Sequence, residues 1–220
     1  MKGFWRNAKF DGSPLDRTDW SVYALIVSTS TGRELLVQAG LQRFLADGYA
    51  ATGINTILQD AGVPKGSFYH HFASKEAFAV DVLRAYAACE VARCTEIFGE
   101  TKLSPLKRLR KYFKAMIIAH GHAAPVSGCL LGALSLELVE HSPELRRETR
   151  AAFDHWQSSI AALLSAAVAE GELPKSANTG DLSALIVNHW EGAHVRAKAE
   201  QSDKPFDLFM RFTFDTLLKA

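Results

Sequence analysis

The feature that most constrains the fold is a tight break, Ala61-Gly62-Val63-Pro64, between two short helical segments. Before the break, Ile54, Ile57 and Leu58 recur at helical spacing, and after it Pro64 suits the first turn of another helix. A further helix precedes both segments. Three short helices joined by tight turns describe a helix-turn-helix unit.

Capping residues predict where the flanking helices begin. Thr31 and Glu34 form a capping box that starts the first helix, and Gly48 ends that helix. Thr52 is the expected N-cap of the second helix, and Ser74 the expected N-cap of a long fourth helix. These signals place the helix-turn-helix unit in residues 31–75.

The rest of the chain also has a helical pattern. Ser104-Pro105 and Ser142-Pro143 open helices, and two more are expected at about 180–200 and 205–219. No alternation typical of strands is present, so we predict an all-α fold of about nine helices. The expected organisation is a poorly ordered arm at 1–30, the helix-turn-helix unit at 31–75, and a helical ligand-sensing and dimerisation domain at 76–220.

Composition limits the possible functions. The 220 residues carry a formal net charge of +1, so any contact with nucleic acid requires basic residues gathered at one place. The three cysteines, Cys89, Cys94 and Cys129, suit neither a disulfide framework nor a zinc site. No apolar run is long enough to span a bilayer, so we expect a cytoplasmic protein without a membrane partner. No catalytic arrangement, metal site or cofactor is predicted.

The third helix carries the candidate contacts to DNA. Phe68 and Phe72 lie one turn apart and face inward, which leaves the residues between them exposed. The exposed groups can neutralise or hydrogen-bond to phosphate, with limited capacity to read bases. These candidates are Lys65, Gly66, Ser67, Tyr69, His70 and, beside the next helix N-terminus, Lys75.

The run from Gly48 to Glu76, with Ala61-Gly62-Val63-Pro64-Lys65-Gly66-Ser67-Phe68-Tyr69-His70-His71-Phe72 at its centre, resembles the signature of the TetR family of repressors. The resemblance implies a homodimer whose recognition helices enter successive major grooves of a palindromic DNA operator, and a small-molecule inducer that releases it. It carries phosphate-contact roles onto Lys65, Tyr69, His70 and Lys75. It also places Thr52 and Gly53 at the start of the family's second helix, where a hydroxyl often touches phosphate. The basic arm common in the family is replaced by the apolar and hydroxylated stretch 22–32.

Two patterns in the second half are similar to one branch of that family, which contains the N-ethylmaleimide repressor and acrylate-responsive regulators. The first is Ser127-Gly128-Cys129-Leu130, followed by Leu134-Ser135-Leu136-Glu137. The second is Trp190-Glu191-Gly192-Ala193, followed by Arg196-Ala197-Lys198.

Cys129 follows a glycine at an expected helix N-terminus, where the helix dipole favours a thiolate. A nearby Lys198 would lower the pKa of the thiol further. We therefore hypothesise that Cys129 senses electrophiles, oxidants or an acrylate-like compound. The alternative is an inert, buried cysteine that acts as a small hydrophobic residue.

Other candidates for the ligand pocket share an aromatic, thioether or imidazole side chain, although such residues more often belong to a core. They are Tyr112, Met116, His120, Trp156, Trp190 and His194. His120 and His122, without nearby cysteine or acidic ligands, make a weak metal signal. Cys89 and Cys94 are interpreted as packing residues.

The last two helices are expected to form the homodimer interface. Phe206, Phe209, Phe212 and Phe214 give them more aromatic surface than a terminal helix needs for its own core. The fourth helix, from Ser74 towards the expected pocket, is the predicted route of the ligand signal.

Three alternatives to a covalent sensor stay open. One is a helical enzyme that uses Cys129 and Lys198 in covalent chemistry. Another is an adaptor whose helix-turn-helix no longer binds DNA. The third is a regulator with a purely noncovalent ligand.

Overall fold

The structure is a computed structural model that describes residues 31–121 and 128–219, without the side chains of His120 and Gly121. The predicted arm at 1–30 lies outside the described residues. So do the side chain of the pocket candidate His120 and all of His122.

All regular structure in the described ranges is helical, which confirms the all-α prediction. The elements are α1 (Gly32–Asp47), α2 (Ile54–Ala61), α3 (Ser67–His71), α4 (Lys75–Phe98), α5 (Pro105–Gly121), α6 (Leu130–Glu137), α7 (Pro143–Ala169), α8 (Thr179–Glu200), α9 (Lys204–Phe212) and a π-helical turn (Thr213–Leu217). No helix of these described ranges is both long and apolar enough to cross a membrane.

Local capping signals begin and end the helices as predicted. The Glu34 carboxylate accepts from the Thr31 amide at 2.8 Å, and the Thr31 hydroxyl accepts from the Glu34 amide at 3.4 Å, which completes the capping box. The Ser74 hydroxyl accepts from the Ala77 amide at 3.0 Å at the start of α4. Gly48 follows α1 with φ +85°, a conformation that suits glycine.

Two predicted helix starts are wrong by a few residues. The N-cap of α2 is Gly53, because Thr52 turns its side chain inward. Helix α3 begins at Ser67 because a turn precedes it, in which the Ser67 amide donates to the Pro64 carbonyl at 2.9 Å. Pro64 therefore belongs to the turn and not to the helix.

The helices pack around two clusters of buried apolar residues. One joins α1, α2, α3 and the first part of α4 to the beginning of α6. The other joins the end of α4 to α5, α7, α8, α9 and the π-helical turn. Helix α4 therefore contributes to both clusters, whereas α6 and Leu145 at the start of α7 belong to the first.

The terminal aromatic residues serve this chain's own core, contrary to the sequence argument. Phe206 and Phe209 are completely buried and pack against Trp190 of α8, with ring centroids 5.3 and 5.0 Å from it. Phe214 is also buried, whereas Phe212 remains 44% exposed. Their number is explained by the intramolecular core and is not by itself evidence for a dimer.

Candidate functional site

Helix α3 presents an exposed surface because its aromatic residues anchor the opposite side. Phe68 and Phe72 are buried, and their ring centroids lie 5.2 and 4.9 Å from that of Phe78 on α4. Tyr69 is consequently 68% exposed, and His70 is exposed beside it. Lys65 and Gly66 are exposed in the preceding turn, and Ser67 is partly exposed.

Thr52 does not offer its hydroxyl to an outside partner. The residue is only 3% exposed, and the hydroxyl donates to the Gly48 carbonyl at 2.6 Å. In this structure the hydroxyl closes the loop between α1 and α2, and the phosphate contact of this side chain stays a prediction. The exposed Gly53 is the N-cap of α2 and provides no side-chain cap. Backbone N–H groups are therefore the donors that this helix end can present to a phosphate.

The partly exposed Lys75 side chain lies against the loop between α1 and α2. Its Nζ donates to the Tyr49 carbonyl at 2.5 Å and lies 4.1 Å from the centroid of the Tyr49 ring. Burial lowers the pKa of the Lys75 ammonium, and the negative charge of Glu137 opposes that shift. The phosphate contact predicted for Lys75 stays a prediction, and in this structure the ammonium contacts Tyr49.

A cavity of about 260 Å³ lies among α4, α5, α6 and α7. Of the predicted pocket residues, Cys129, Tyr112, Met116 and Trp156 line it. The sequence missed several others because they lie on α4 and α7 without a recognisable motif. These are Tyr86, Glu90, Cys94, Glu148 and His155.

Three predicted pocket residues do not line this cavity. Trp190 is completely buried against Phe113, at 5.1 Å between ring centroids. His194 is 2% exposed and stacks edge-on against Trp190 at 4.8 Å. Both belong to the second core. Lys198 is exposed, and its Cδ lies 3.8 Å from the position that a Cβ on Gly128 would take.

Cys129 is the N-cap residue of α6, but its thiol lies in surroundings that oppose ionisation. Its Sγ is 3.6 Å from the Tyr86 hydroxyl. Burial raises the pKa of the thiol well above its usual value, the charge of Glu191 raises it further, and the Gly132 amide acts in the opposite direction. Loss of hydration therefore opposes the thiolate that the helix dipole and Lys198 were expected to favour.

Glu191 of α8 reaches over α6 to the same thiol. Its Oε2 would lie only 2.6 Å from a Cβ on Gly132, so the absence of a side chain there makes room for the carboxylate. Burial raises the pKa of Glu191 to about 7, and its hydrogen bond with Cys129 opposes that shift. In the sequence, Glu191 stood out only as part of a motif, because no local sequence signal indicates that α8 packs against α6.

The other end of α6 is attached to the unit that contains α3. The Glu137 carboxylate accepts from the Tyr49 amide at 3.1 Å and from the Ala50 amide at 2.7 Å. A Cβ on Gly48 would lie 3.0 Å from Glu137 Oε1, so glycine allows this close approach. Helix α6 thus joins the cavity wall at Cys129 to the loop between α1 and α2.

The described ranges, 31–121 and 128–219, contain no group of three or more His, Cys, Asp or Glu residues arranged to hold a metal ion. Arg84, the cation that lines the cavity, donates to Glu148 at 2.8 Å and to Glu144 at 3.1 Å. The arrangement is suited to binding a small, mostly apolar molecule beside a thiol.

Comparisons with known proteins match both halves of the chain. Residues 36–82 match the family described as bacterial regulatory proteins, tetR family. Residues 105–213 match a family described as the tetracyclin repressor-like C-terminal domain. The first match covers α3, and the second covers the part of the cavity wall that α5, α6 and α7 form.

Individual relatives agree along most of their length. The chain is 32% identical to the HTH-type transcriptional repressor DhaR of Mycobacterium sp., over 86% of this chain and 93% of that one. It is 33% identical to the transcriptional regulator AcuR of Cereibacter sphaeroides, over 83% of each chain. It is 32% identical to the HTH-type transcriptional repressor NemR of Escherichia coli, over 80% of this chain and 88% of that one.

Solved structures share the fold. A structure described as the regulatory protein TetR from Rhodobacter sphaeroides superposes with a TM-score of 0.77 at 33% identity, over 84% of this chain and 97% of that one. The reduced form of E. coli NemR superposes with a TM-score of 0.75 at 29% identity, over 84% and 95%. On these matches, the chain belongs to the TetR family and is a helix-turn-helix transcriptional repressor.

Proposed function

We propose that this repressor is a homodimer that binds a palindromic operator through α3 and leaves it when a small electrophile reacts with Cys129. The observation that carries the proposal is the position of Cys129 in the cavity wall, at one end of a helix whose other end holds the α1–α2 loop. Residues 31–75 would be the DNA-binding domain, and 76–220 the sensing and dimerisation domain.

The proposed DNA surface is the exposed side of α3 and the turn before it. Lys65 supplies a charge for phosphate, while the hydroxyls of Ser67 and Tyr69 and the His70 ring supply hydrogen bonds. Such contacts fix the position of a protein on the duplex and depend strongly on salt. The backbone N–H groups at the start of α2, beside Gly53, add a phosphate site of the kind that helix N-termini provide.

The cavity favours an uncharged ligand. Its volume of about 260 Å³ suits a molecule of modest size, and Glu90 and Glu148 place carboxylates in its wall. The guanidinium of Arg84, the one arginine or lysine among the described lining residues, is already engaged by Glu144 and Glu148 and is not available to an anionic ligand.

The proposed signal passes through α6 and α4. An adduct on Cys129 enlarges the side chain at the N-cap of α6 and shifts that helix. The shift displaces Glu137, which accepts hydrogen bonds from the amides of Tyr49 and Ala50, and so moves the α1–α2 loop. Helix α4 runs from Lys75, which also holds Tyr49, to the cavity. Because two recognition helices must reach grooves about 34 Å apart, a change of a few ångströms would prevent both from docking.

Helices α8 and α9 are the proposed dimer interface. Although most of their aromatic residues are used internally, large apolar side chains remain on their outer faces, each 44–60% exposed. Apolar surface of this kind on neighbouring helices is typical of a subunit interface. The residues are Leu185, Val195, Leu208 and Phe212.

A regulator with a noncovalent ligand is the second candidate. The observation that favours it is the raised pKa of Cys129, because a neutral thiol is a poor nucleophile. An enzyme that uses Cys129 with Lys198 has less support, since Lys198 does not line the cavity.

The experiment is a gel shift on DNA from the protein's own promoter region, with and without N-ethylmaleimide. We expect specific binding that the reagent abolishes in the wild type and leaves intact in Cys129→Ser. Binding that the reagent does not change would support the noncovalent candidate. Release of both proteins alike would show that the reagent acts elsewhere and contradict the role of Cys129.

A further inference from the structure

The reaction proposed for Cys129 requires a group that removes the proton from its thiol, and none of the nearby cations favours the thiolate. Its thiol is buried at the N-cap of α6, Lys198 is exposed outside the cavity, and Arg84 is paired with carboxylates. A neutral thiol adds to an alkene slowly unless a nearby base removes its proton. The reactivity of Cys129 therefore depends on which group in contact with it can accept a proton.

Glu191 is in that position. Glu191 interacts with the Cys129 thiol, because each of the two groups shifts the pKa of the other. The Oε2 atom lies against the backbone of Gly132, where a Cβ would be only 2.6 Å away. The Oε1 atom is buried and has no hydrogen-bond partner among the described residues. Cys129 lines the cavity whereas Glu191 does not, so an electrophile would approach the sulfur from the cavity while the proton leaves towards α8.

We propose that Glu191 accepts the proton of the Cys129 thiol when an uncharged electrophilic alkene enters the cavity, and returns that proton to complete the adduct. The inference rests on the proposed function, because it concerns the reaction at the same cysteine. Glu191 then promotes formation of the thiolate, a role that the sequence had suggested for the helix dipole and Lys198.

The step balances without another reactant. The S–H bond breaks as the proton passes to the Glu191 carboxylate, and the sulfur electron pair forms a bond to the β carbon of the alkene. The π electrons move to the α carbon and its carbonyl, and the resulting enolate takes the proton back from Glu191. The product is a thioether, and the carboxylate is restored.

The surroundings support both halves of this cycle. Burial raises the pKa of Glu191 to about 7, so near neutral pH it exists in both the form that accepts a proton and the form that donates one. The Tyr86 hydroxyl on α4, 3.6 Å from Sγ, can donate to the sulfur as charge develops. Lys198, to which the sequence assigned a role beside the thiol, is exposed to solvent.

The test is the rate at which N-ethylmaleimide modifies Cys129 in the full-length protein, followed by mass spectrometry of the Cys129 peptide. Because general-base catalysis contributes about 10²–10⁴-fold, Glu191→Gln is expected to slow the reaction at least tenfold, while Glu191→Asp retains part of it. The wild-type rate should rise through a titration near pH 7, and the Gln variant should lack that step. Glu200→Gln, which removes an exposed carboxylate at the end of the same helix, is the matched control and should leave the rate unchanged.

A Gln variant that reacts at the wild-type rate with the same pH profile would overturn the proposal. If that variant does not fold, the pH profile of the wild type decides alone, since a rate that rises only with hydroxide above pH 8 would exclude Glu191 as the base. The readout is separate from the test of the proposed function. A Glu191-dependent adduct that does not release DNA would refute the switch and leave this inference standing.

Discussion

At the scale of single residues, burial decides what the ionisable groups can do. Cys129 sits where a helix dipole favours a thiolate, yet the loss of water around it raises the pKa of the thiol. Lys75 follows the same rule, because burial lowers its pKa and its ammonium binds the Tyr49 carbonyl. Position along a helix is therefore a poor guide to charge state where the side chain is buried.

Glu191→Gln should stabilise the protein in a pH-dependent way. The pKa of Glu191 is raised to about 7 in the folded protein from an ordinary value of 4.5, so folding favours the protonated form. The wild type therefore loses stability as pH rises from the ordinary value to about 7, whereas the Gln variant has no such loss. The free energy of unfolding of the variant, minus that of the wild type, is the quantity to compare. At about 1.4 kcal/mol per pKa unit, this difference should be about 2–3 kcal/mol larger at pH 8 than at pH 5.

Urea unfolding at the two pH values measures this difference. A difference between variant and wild type that is the same at both pH values would show that Glu191 ionises normally. That result would also remove the support its titration gives to proton transfer from Cys129.

The residue scale also shows what the sequence could predict. Exposure of Tyr69 and His70 followed from Phe68 and Phe72 one turn apart, because that spacing is a local property of a helix. The partner of Cys129 could not be predicted, since Glu191 comes from a distant helix and its approach depends on packing at Gly132.

At the scale of elements, α6 connects the cavity to the DNA-binding unit. Cys129 caps its first turn, and Glu137 in its last turn accepts from two successive amides of the α1–α2 loop. Charged hydrogen bonds of this kind are roughly twice as strong as neutral ones. A displacement of α6 is therefore transmitted to the loop that precedes α2.

Glu137→Gln should uncouple the two sites. The amide group of Gln places a donor against one of the two donating N–H groups, so one hydrogen bond is lost. N-ethylmaleimide should still modify Cys129 at the wild-type rate, but the fall in operator affinity should be at least fivefold smaller than in the wild type, given that couplings are typically about 5–150-fold. Fluorescence anisotropy with labelled operator measures both affinities.

Glu140→Gln is the matched control, because this exposed residue follows α6 and lies outside the contact with the loop. A Glu137 variant that responds to the reagent as fully as the control would mean that the signal passes through α4 without α6.

The elements themselves were largely predictable from sequence. Thr31, Ser74 and Ser142 cap the helices that the sequence assigned to them, since a cap involves residues three apart. The pairing of helices was not predictable, and for that reason Trp190 and His194 were assigned to the pocket although they lie in the core.

At the scale of the whole molecule, the proposal requires two copies. Leu208→Glu together with Phe212→Glu should produce a monomer, because charges placed on these exposed apolar residues cannot be buried without a partner. A monomer reaches one half-site at a time, so operator affinity should fall by about 10²-fold or more. Sedimentation equilibrium measures the mass.

Leu136→Glu, at an 83% exposed residue of α6, is the control and should leave the dimer intact. Wild-type protein that sediments as a monomer, or a double variant that remains dimeric, would exclude α8 and α9 as the interface.

The most direct test of the central claim is a titration of the protein's promoter DNA against a scrambled duplex at fixed salt. We predict binding to the promoter at least about 10³-fold tighter than to the scrambled duplex. Lys65→Ala should weaken binding and reduce the salt slope by about one, while Lys175→Ala, at an exposed lysine between α7 and α8, should change neither. Equal affinity for both duplexes, or equal behaviour of the two lysine variants, would contradict the assignment of α3 and its preceding turn as the surface that recognises an operator.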